Sequence, residues 1–377
     1  MRLAVLVLAA PDVGAAQPIP RGEIVDEVRC VEDAGETYAL YLPSDYTPDR
    51  AWNLLLAFHP AARGRSLVET YRAAAERYGY VVAASTTSRN GPWEVSARAV
   101  RAMSRDVGRR FVIDATRIYV TGHSGGARVA MQVALGGNDI AGVIASSAGF
   151  PDVKPRKTVG FPVFATAGID DFNYLELRRL DAALTSPHAL EVFEGGHEPP
   201  PAAVAMRAIE WLELAAMRDG RRAVDAALIE SLFAAARQRA DGAVDAVEQL
   251  RATRALVADF AGLRDVAEAR RRLEAMEHDA AVKDAVARDR AALDVEARAL
   301  DEALAIESRL QAPATRDAAL ARLDALLAGW ARAAGAADPT PAGHQARRLL
   351  GAIAAGAAGR VGDEDYTRLV QRHRWRP

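Results

Sequence analysis

The chain has 377 residues, enough for two ordinary domains, and half of them are hydrophobic with about a quarter charged. Its 48 lysines and arginines nearly cancel its 50 aspartates and glutamates, and the formal net charge of −2 excludes an electrostatic footprint for nucleic acid. The single cysteine, Cys30, excludes an internal disulfide and any cysteine-based metal cluster, and reads as a small buried hydrophobe.

The chain opens on Met1-Arg2, an apolar run over 3–10, and the small residues Gly14, Ala15 and Ala16. A basic start, a short apolar core and a small-residue cleavage site predict a signal peptide over 1–16 and an exported protein, periplasmic or extracellular. The run is too short for a bilayer, which needs about twenty residues, and no later stretch predicts a membrane span. From 36 to 217 short β-like runs alternate with helical ones. Strands are predicted at 37–42, 54–58, 80–84, 117–121, 141–147, 162–167 and 190–193. Helices are predicted at 66–78, with Ser66 as N-cap, and at 95–111, 127–135 and 201–217. This alternation predicts an α/β fold with a mostly parallel central sheet over 17–217.

After Met217 the β signal stops. Val224, Leu228, Leu232 and Phe233 recur at helical spacing, and so do Leu320, Leu323, Leu327 and Trp330. Breaks at 241–242, 312–313, 335–341 and 359–362 divide the stretch into hairpins, so an all-α domain is expected over 218–377. It lacks the Trp/Leu/Gly/Tyr pattern of tetratricopeptide repeats, whose period is about 34 residues. A partner protein or self-association is the expected role of this domain.

Gly122-His123-Ser124-Gly125-Gly126 matches the G-x-S-x-G turn, in which a strand runs through a strained serine into a helix. Side chains two residues either side of the serine would strike neighbouring backbone. Serine is inert near neutral pH without a base, and on such sheets the acid and then the histidine follow the serine in the chain. The predicted strand 162–167 runs into Gly168-Ile169-Asp170-Asp171, and the strand 190–193 into Glu194-Gly195-Gly196-His197. Both place chemistry at strand C-terminal ends, where open parallel sheets gather it. His197 is the expected base. Asp170 and Asp171 compete as acid, and a spacing of glycine, two residues, then aspartate favours Asp171. For the oxyanion hole the candidates are the N–H of Gly125 and that of Ala61, since Pro60 has none. His59 reads as support for that loop, and His123 as packing. Nothing asks for a cofactor, and no grouping of His, Asp and Glu suggests a metal.

The stretch from about Cys30 to Met217 resembles bacterial α/β-hydrolases of the polyhydroxyalkanoate-depolymerase-like and feruloyl-esterase-like group. The matching pieces include Tyr38-Ala-Leu-Tyr-Leu-Pro43, Asn90-Gly-Pro-Trp93, the Ser124 motif, Asp171-Phe-Asn-Tyr174 and Gly195-Gly-His-Glu198. The resemblance implies a Ser-His-Asp esterase mechanism. It departs at His59-Pro60, where many relatives have His-Gly. Only 151–160 separates Phe150 from the next strand, so no large lid is expected, and an open site suits bulky or polymeric as well as small esters. Trp93 and Tyr174 are candidate walls of the substrate pocket. A serine peptidase, or a non-catalytic platform carrying a helical interaction module, is the alternative function.

Overall fold

The computed structural model describes residues 19–375 apart from 138, 153, 155, 336–339 and 359–362. The expected signal peptide lies outside the described residues. Eight strands form one sheet: β1 (Ile24–Arg29), β2 (Thr37–Tyr41), β3 (Trp52–Phe58), β4 (Tyr80–Ser85), β5 (Ile113–His123), β6 (Ile140–Ser146), β7 (Val163–Gly168) and β8 (His188–Phe193). Their order is β1-β2-β4-β3-β5-β6-β7-β8. β2 is antiparallel to both β1 and β4, and every pair from β4 to β8 is parallel.

The alternation of side chains along a strand divides the core into two layers. Leu54, Leu56 and Phe58 of β3 face one side, where they join Val100, Met103 and Val107 of α2 (Trp93–Arg110) and Ala127, Ala130 and Met131 of α3 (Gly125–Leu135). α4 (Tyr174–Ala183) adds Leu177 and Leu180 to that layer. Leu55 and Ala57 face the other side, against Leu67, Val68 and Tyr71 of α1 (Gly64–Tyr78) and Ile209 and Leu212 of α5 (Ala202–Arg218). Buried on both faces, these strands read as continuous apolar runs.

Several boundaries shift by a few residues, and α1, β1 and α4 differ from the sequence reading for identifiable reasons. α1 starts at Gly64 rather than Ser66, and the Ser66 hydroxyl donates back to the Arg63 carbonyl at 2.7 Å instead of capping the helix. A Cβ at Gly64 would press on the Ala84 and Ser85 carbonyls, so glycine lets the helix begin hard against β4. β1 was not expected. It is an edge strand with only Val28 buried, and its sequence Ile24-Val-Asp-Glu-Val-Arg29 does not alternate. α4 was not expected either, because it starts directly off the Asp171 turn with no side-chain cap.

Beyond α5 the chain is helical: α6 (Ala226–Gly242), α7 (Ala246–Phe260), α8 (Ala267–His278), α9 (Ala280–Ser308), α10 (Pro313–Ala334), α11 (Pro341–Ala357) and α12 (Glu364–His373). Asp225, Asp245, Asp279, Thr340 and Asp363 cap five of these helices with side-chain oxygens. One core joins α6 and α7 to Leu214 and Met217 of α5. A second joins the end of α9 to α10, α11 and α12. Among the described residues, no helix is long and apolar enough to cross a membrane.

Candidate active site

The sheet order reverses around β3, with β4 on one side and β5 on the other. The C-terminal ends of β3 and β5 therefore flank a crevice, the usual place for chemistry in an open α/β sheet. β5 ends at His123, and the next residue, Ser124, takes φ 52° and ψ −122° before α3 begins at Gly125. A non-glycine residue with positive φ is strained. The neighbours enforce it. A Cβ on Gly122 would collide with the Gly126 backbone, and one on Gly126 with the Phe58 carbonyl. The Ser124 N–H donates to Ser146 O at 2.8 Å, which ties the turn to β6.

The loops after β7 and β8 bring up the partners. Ile169 N–H donates to Phe193 O at 2.8 Å and Asp170 N–H to Gly195 O at 2.9 Å, so the two loops are stitched together by backbone. A Cβ on Gly168 would strike the Gly195 and Gly196 carbonyls, so glycine allows this approach. The Ser124 hydroxyl lies 2.8 Å from His197 Nε2, and His197 Nδ1 lies 2.7 Å from Asp171 Oδ1. Asp171 is fully buried, whereas Ser124 and His197 are half-buried. Asn173 N–H also donates to Asp171 Oδ1 at 2.8 Å, fixing the carboxylate in the plane it needs to hold the imidazole. Asp170 takes a different role: it pairs with His344 and Arg347 of α11.

The other predicted site residues are placed differently. Gly125 is the first residue of α3, so its N–H lies outside the helix's own hydrogen-bond ladder. Ala61 N–H is occupied, because it donates to His59 Nδ1 at 3.0 Å. That bond fixes His59 with its own proton on Nε2. Trp93 stands in the first turn of α2, 37% exposed, and is not among the rings stacked near the serine. Tyr174 is no open wall. Its hydroxyl accepts from Arg178 at 2.5 Å, and its ring lies under the Arg348 guanidinium at 4.4 Å.

Three side chains at the site were not assigned from sequence. Phe172 stacks on the His197 ring, centroids 3.9 Å apart and planes 26° from parallel. The Asn173 side chain donates to Ser147 O at 2.7 Å, holding the acid turn to the end of β6. The Asn90 side chain occupies the space where a Cβ on Gly125 would stand. Phe172 and Asn173 belong to the quoted Asp171-Phe-Asn-Tyr174 string, and Asn90 to Asn90-Gly-Pro-Trp93, but a string does not reveal which way a side chain turns.

His123 and His59 line the floor, with ring centroids 4.8 Å from His197 to His123 and 5.9 Å from His123 to His59. Burial, then the nearby His197 and His59, push the His123 imidazole down to about 3. Burial and the Arg63 charge push His59 down to about 4. Both rings are therefore neutral near pH 7, and only neutral rings can crowd the base in this way. Among the described residues no group of three His, Cys, Asp or Glu side chains is placed to hold a metal ion. A cavity of about 710 Å³ opens between β8, α5, α6 and α7, lined by Trp211, Asp259 and Phe260 among others, away from Ser124.

No protein-family model matches the chain, and no curated protein matches it in sequence. Among solved structures it is similar to an S-formylglutathione hydrolase from Agrobacterium tumefaciens, at 16% identity and TM-score 0.37 over 48% of this chain and 90% of that one. It is also similar to a variant of the feruloyl esterase module from Clostridium thermocellum, at 13% identity and TM-score 0.40 over 50% and 85%. A puromycin-hydrolyzing peptidase from Mycobacterium tuberculosis gives 14% and 0.38 over 51% of this chain and 38% of that protein. Sheet order and the serine turn that β5 thrusts out of it give the N-terminal half of the chain an α/β-hydrolase fold, continued by an all-helical half.

Proposed function

We propose that the chain is a serine hydrolase that cleaves carboxylic esters through an acyl-enzyme, with Ser124 as nucleophile, His197 as general base and Asp171 as the acid that orients it. The supporting observation is the unbroken hydrogen-bond chain from the Ser124 hydroxyl through His197 to a fully buried Asp171. His197 Nε2 takes the Ser124 proton as Oγ attacks the ester carbonyl carbon. The tetrahedral intermediate collapses, the C–O bond to the alcohol breaks, and His197 returns the proton to the leaving alkoxide. Water, deprotonated by the same imidazole, then attacks the acyl-serine and regenerates the hydroxyl. Asp171 stays ionised, holding Nδ1–H and stabilising the imidazolium that forms in each half-reaction.

The developing oxyanion is met first by the Gly125 N–H at the start of α3, where the helix dipole adds to the donor. Ala61 contributes only by turning its N–H from His59 Nδ1 to the substrate oxygen. The described part of the β6–β7 connection carries no helix, which supports an ester substrate entering from an open side.

Ser124→Ala is expected to lower turnover of a chromogenic short-chain ester by about 10⁴–10⁶-fold. It should also abolish labelling by a fluorophosphonate probe. A parent protein that is folded yet neither labels nor hydrolyses the ester would overturn the reading. Cleavage of peptide substrates with no ester turnover would move the assignment to a serine peptidase.

A further inference from the structure

The turn that carries the acid is not held by the sheet alone. Four of the six residues from Ile169 to Tyr174 touch the helical half, all of them through α11. Arg348 donates to Ile169 O at 2.7 Å. Asp170 accepts from His344 at 2.7 Å and from Arg347 at 3.1 Å. Tyr174 lies 4.4 Å beneath the Arg348 guanidinium. The fourth contact has the most bearing on the chemistry. Gly351 approaches Phe172 so closely that a Cβ there would stand 3.3 Å from the Phe172 Cβ, and Phe172 is the ring stacked on His197.

The anchor behind these contacts is stiff. Arg348 is held by Glu296 of α9 through two parallel hydrogen bonds of 2.8 and 2.6 Å, and both residues are buried. A forked pair of this kind fixes direction as well as distance. Burial also penalises any departure, because either charge alone would be left without a partner. On the other side of the turn, Asp171 and Phe172 are adjacent residues that grip one imidazole, the first through Nδ1 and the second through its face.

We infer that α11 is a positioning element of the active site: Arg348 and Gly351, acting through the Ile169–Tyr174 turn and the Phe172 ring, keep Asp171 and His197 aligned with Ser124. The inference rests on the serine-hydrolase reading for its kinetic consequence but not for its geometric one. The helical half is then part of how the proton is moved, in addition to any partner it binds.

The test uses the full chain and two variants. Gly351→Val wedges methyls against Phe172 and leaves every charge in place. Arg348→Ala removes the anchor, and because it strands Glu296 it can loosen the helical half, so Gly351→Val carries the decision. Arg322→Ala, at an exposed ion pair with Glu302, is the control. The first readout is the ring-proton resonance of His197 in histidine-labelled protein, assigned by its loss in His197→Gln. Protons stacked over Phe172 are shifted upfield by its ring current, and Gly351→Val moves them downfield. The second readout is kinetic: kcat for an ester falls about 10- to 100-fold, the scale of a misaligned reacting group. KM stays near that of the parent, since the carbonyl-binding side at Gly125 is untouched. A folded Gly351→Val protein whose His197 resonance and kcat both match the parent and Arg322→Ala overturns the inference. A parent that fails to label at Ser124 overturns the serine-hydrolase reading instead, and the resonance still decides the role of α11.

Discussion

His123 and His59 tie acid stability to the active-site floor. An unfolded chain protonates both near the usual histidine value of 6.5, whereas the folded chain resists until about 3 and about 4. Between pH 6.5 and those values the unfolded state binds more protons, so stability is full above 6.5 and falls as the pH drops through that window. The slope is at most about 1.4 kcal/mol per pH unit for each ring. Melting curves from pH 7 to pH 4 should show it, and His123→Gln should flatten it. Asp170 and Asp171 give a sharper contrast. Asp171→Asn removes the negative charge and presents an NH2 donor to His197 Nδ1, which selects the wrong tautomer, and should cost about 10⁴ in kcat. Asp170→Asn weakens only the α11 contacts and should cost far less. A reversed ranking in steady-state assays would exchange their roles. Chain order and strand ends were enough to nominate Ser124, Asp171 and His197. The stack of Phe172 and the capture of Ala61 N–H by His59 were not legible, because both depend on side-chain directions that only the folded loops determine.

At the scale of elements, the β5–α3 turn is the least tolerant part of the fold. Gly126→Ala drives a methyl into the Phe58 carbonyl, and β3 cannot retreat, since it is packed on both faces. The expected outcome is loss of fluorophosphonate labelling together with a lowered melting temperature. The central strands were legible because burial on both faces leaves unbroken apolar runs such as Leu54-Leu-Leu-Ala-Phe58. β1 was not, since an edge strand with one buried residue carries too little period-2 signal. α4 is hidden for another reason: Tyr174 to Ala183 has helical spacing, but no side-chain cap marks its start. Cys30 follows the strand edge into the core, where burial and the Asp106 charge push its thiol up to about 12. It should resist iodoacetamide at pH 8 in the native protein and react once denatured.

At the scale of the whole molecule, the two halves share a core and a set of charges. Leu214 and Met217 of α5 pack with Ile229, Leu232, Leu256 and Phe260 of α6 and α7. The Trp211 indole donates to Asp259 at 2.7 Å, and Arg178 of α4 pairs with Asp289 of α9 at 2.8 Å. A chain ended after Arg218 exposes that apolar face, and patches of this kind drive association. Size-exclusion chromatography should show it forming larger species than the full chain. The separation between the acid turn and the helix that meets it has a temporal meaning. Asp170 and His344 are 174 residues apart. At a ribosomal pace of about 5–20 residues per second, the nascent chain carries both its serine and its imidazole for roughly 7–30 s before α11 is translated. On the serine-hydrolase proposal, alignment of the acid and base is thus deferred until α11 has been made, and a shorter nascent chain carries the three site residues without the helix that steadies them.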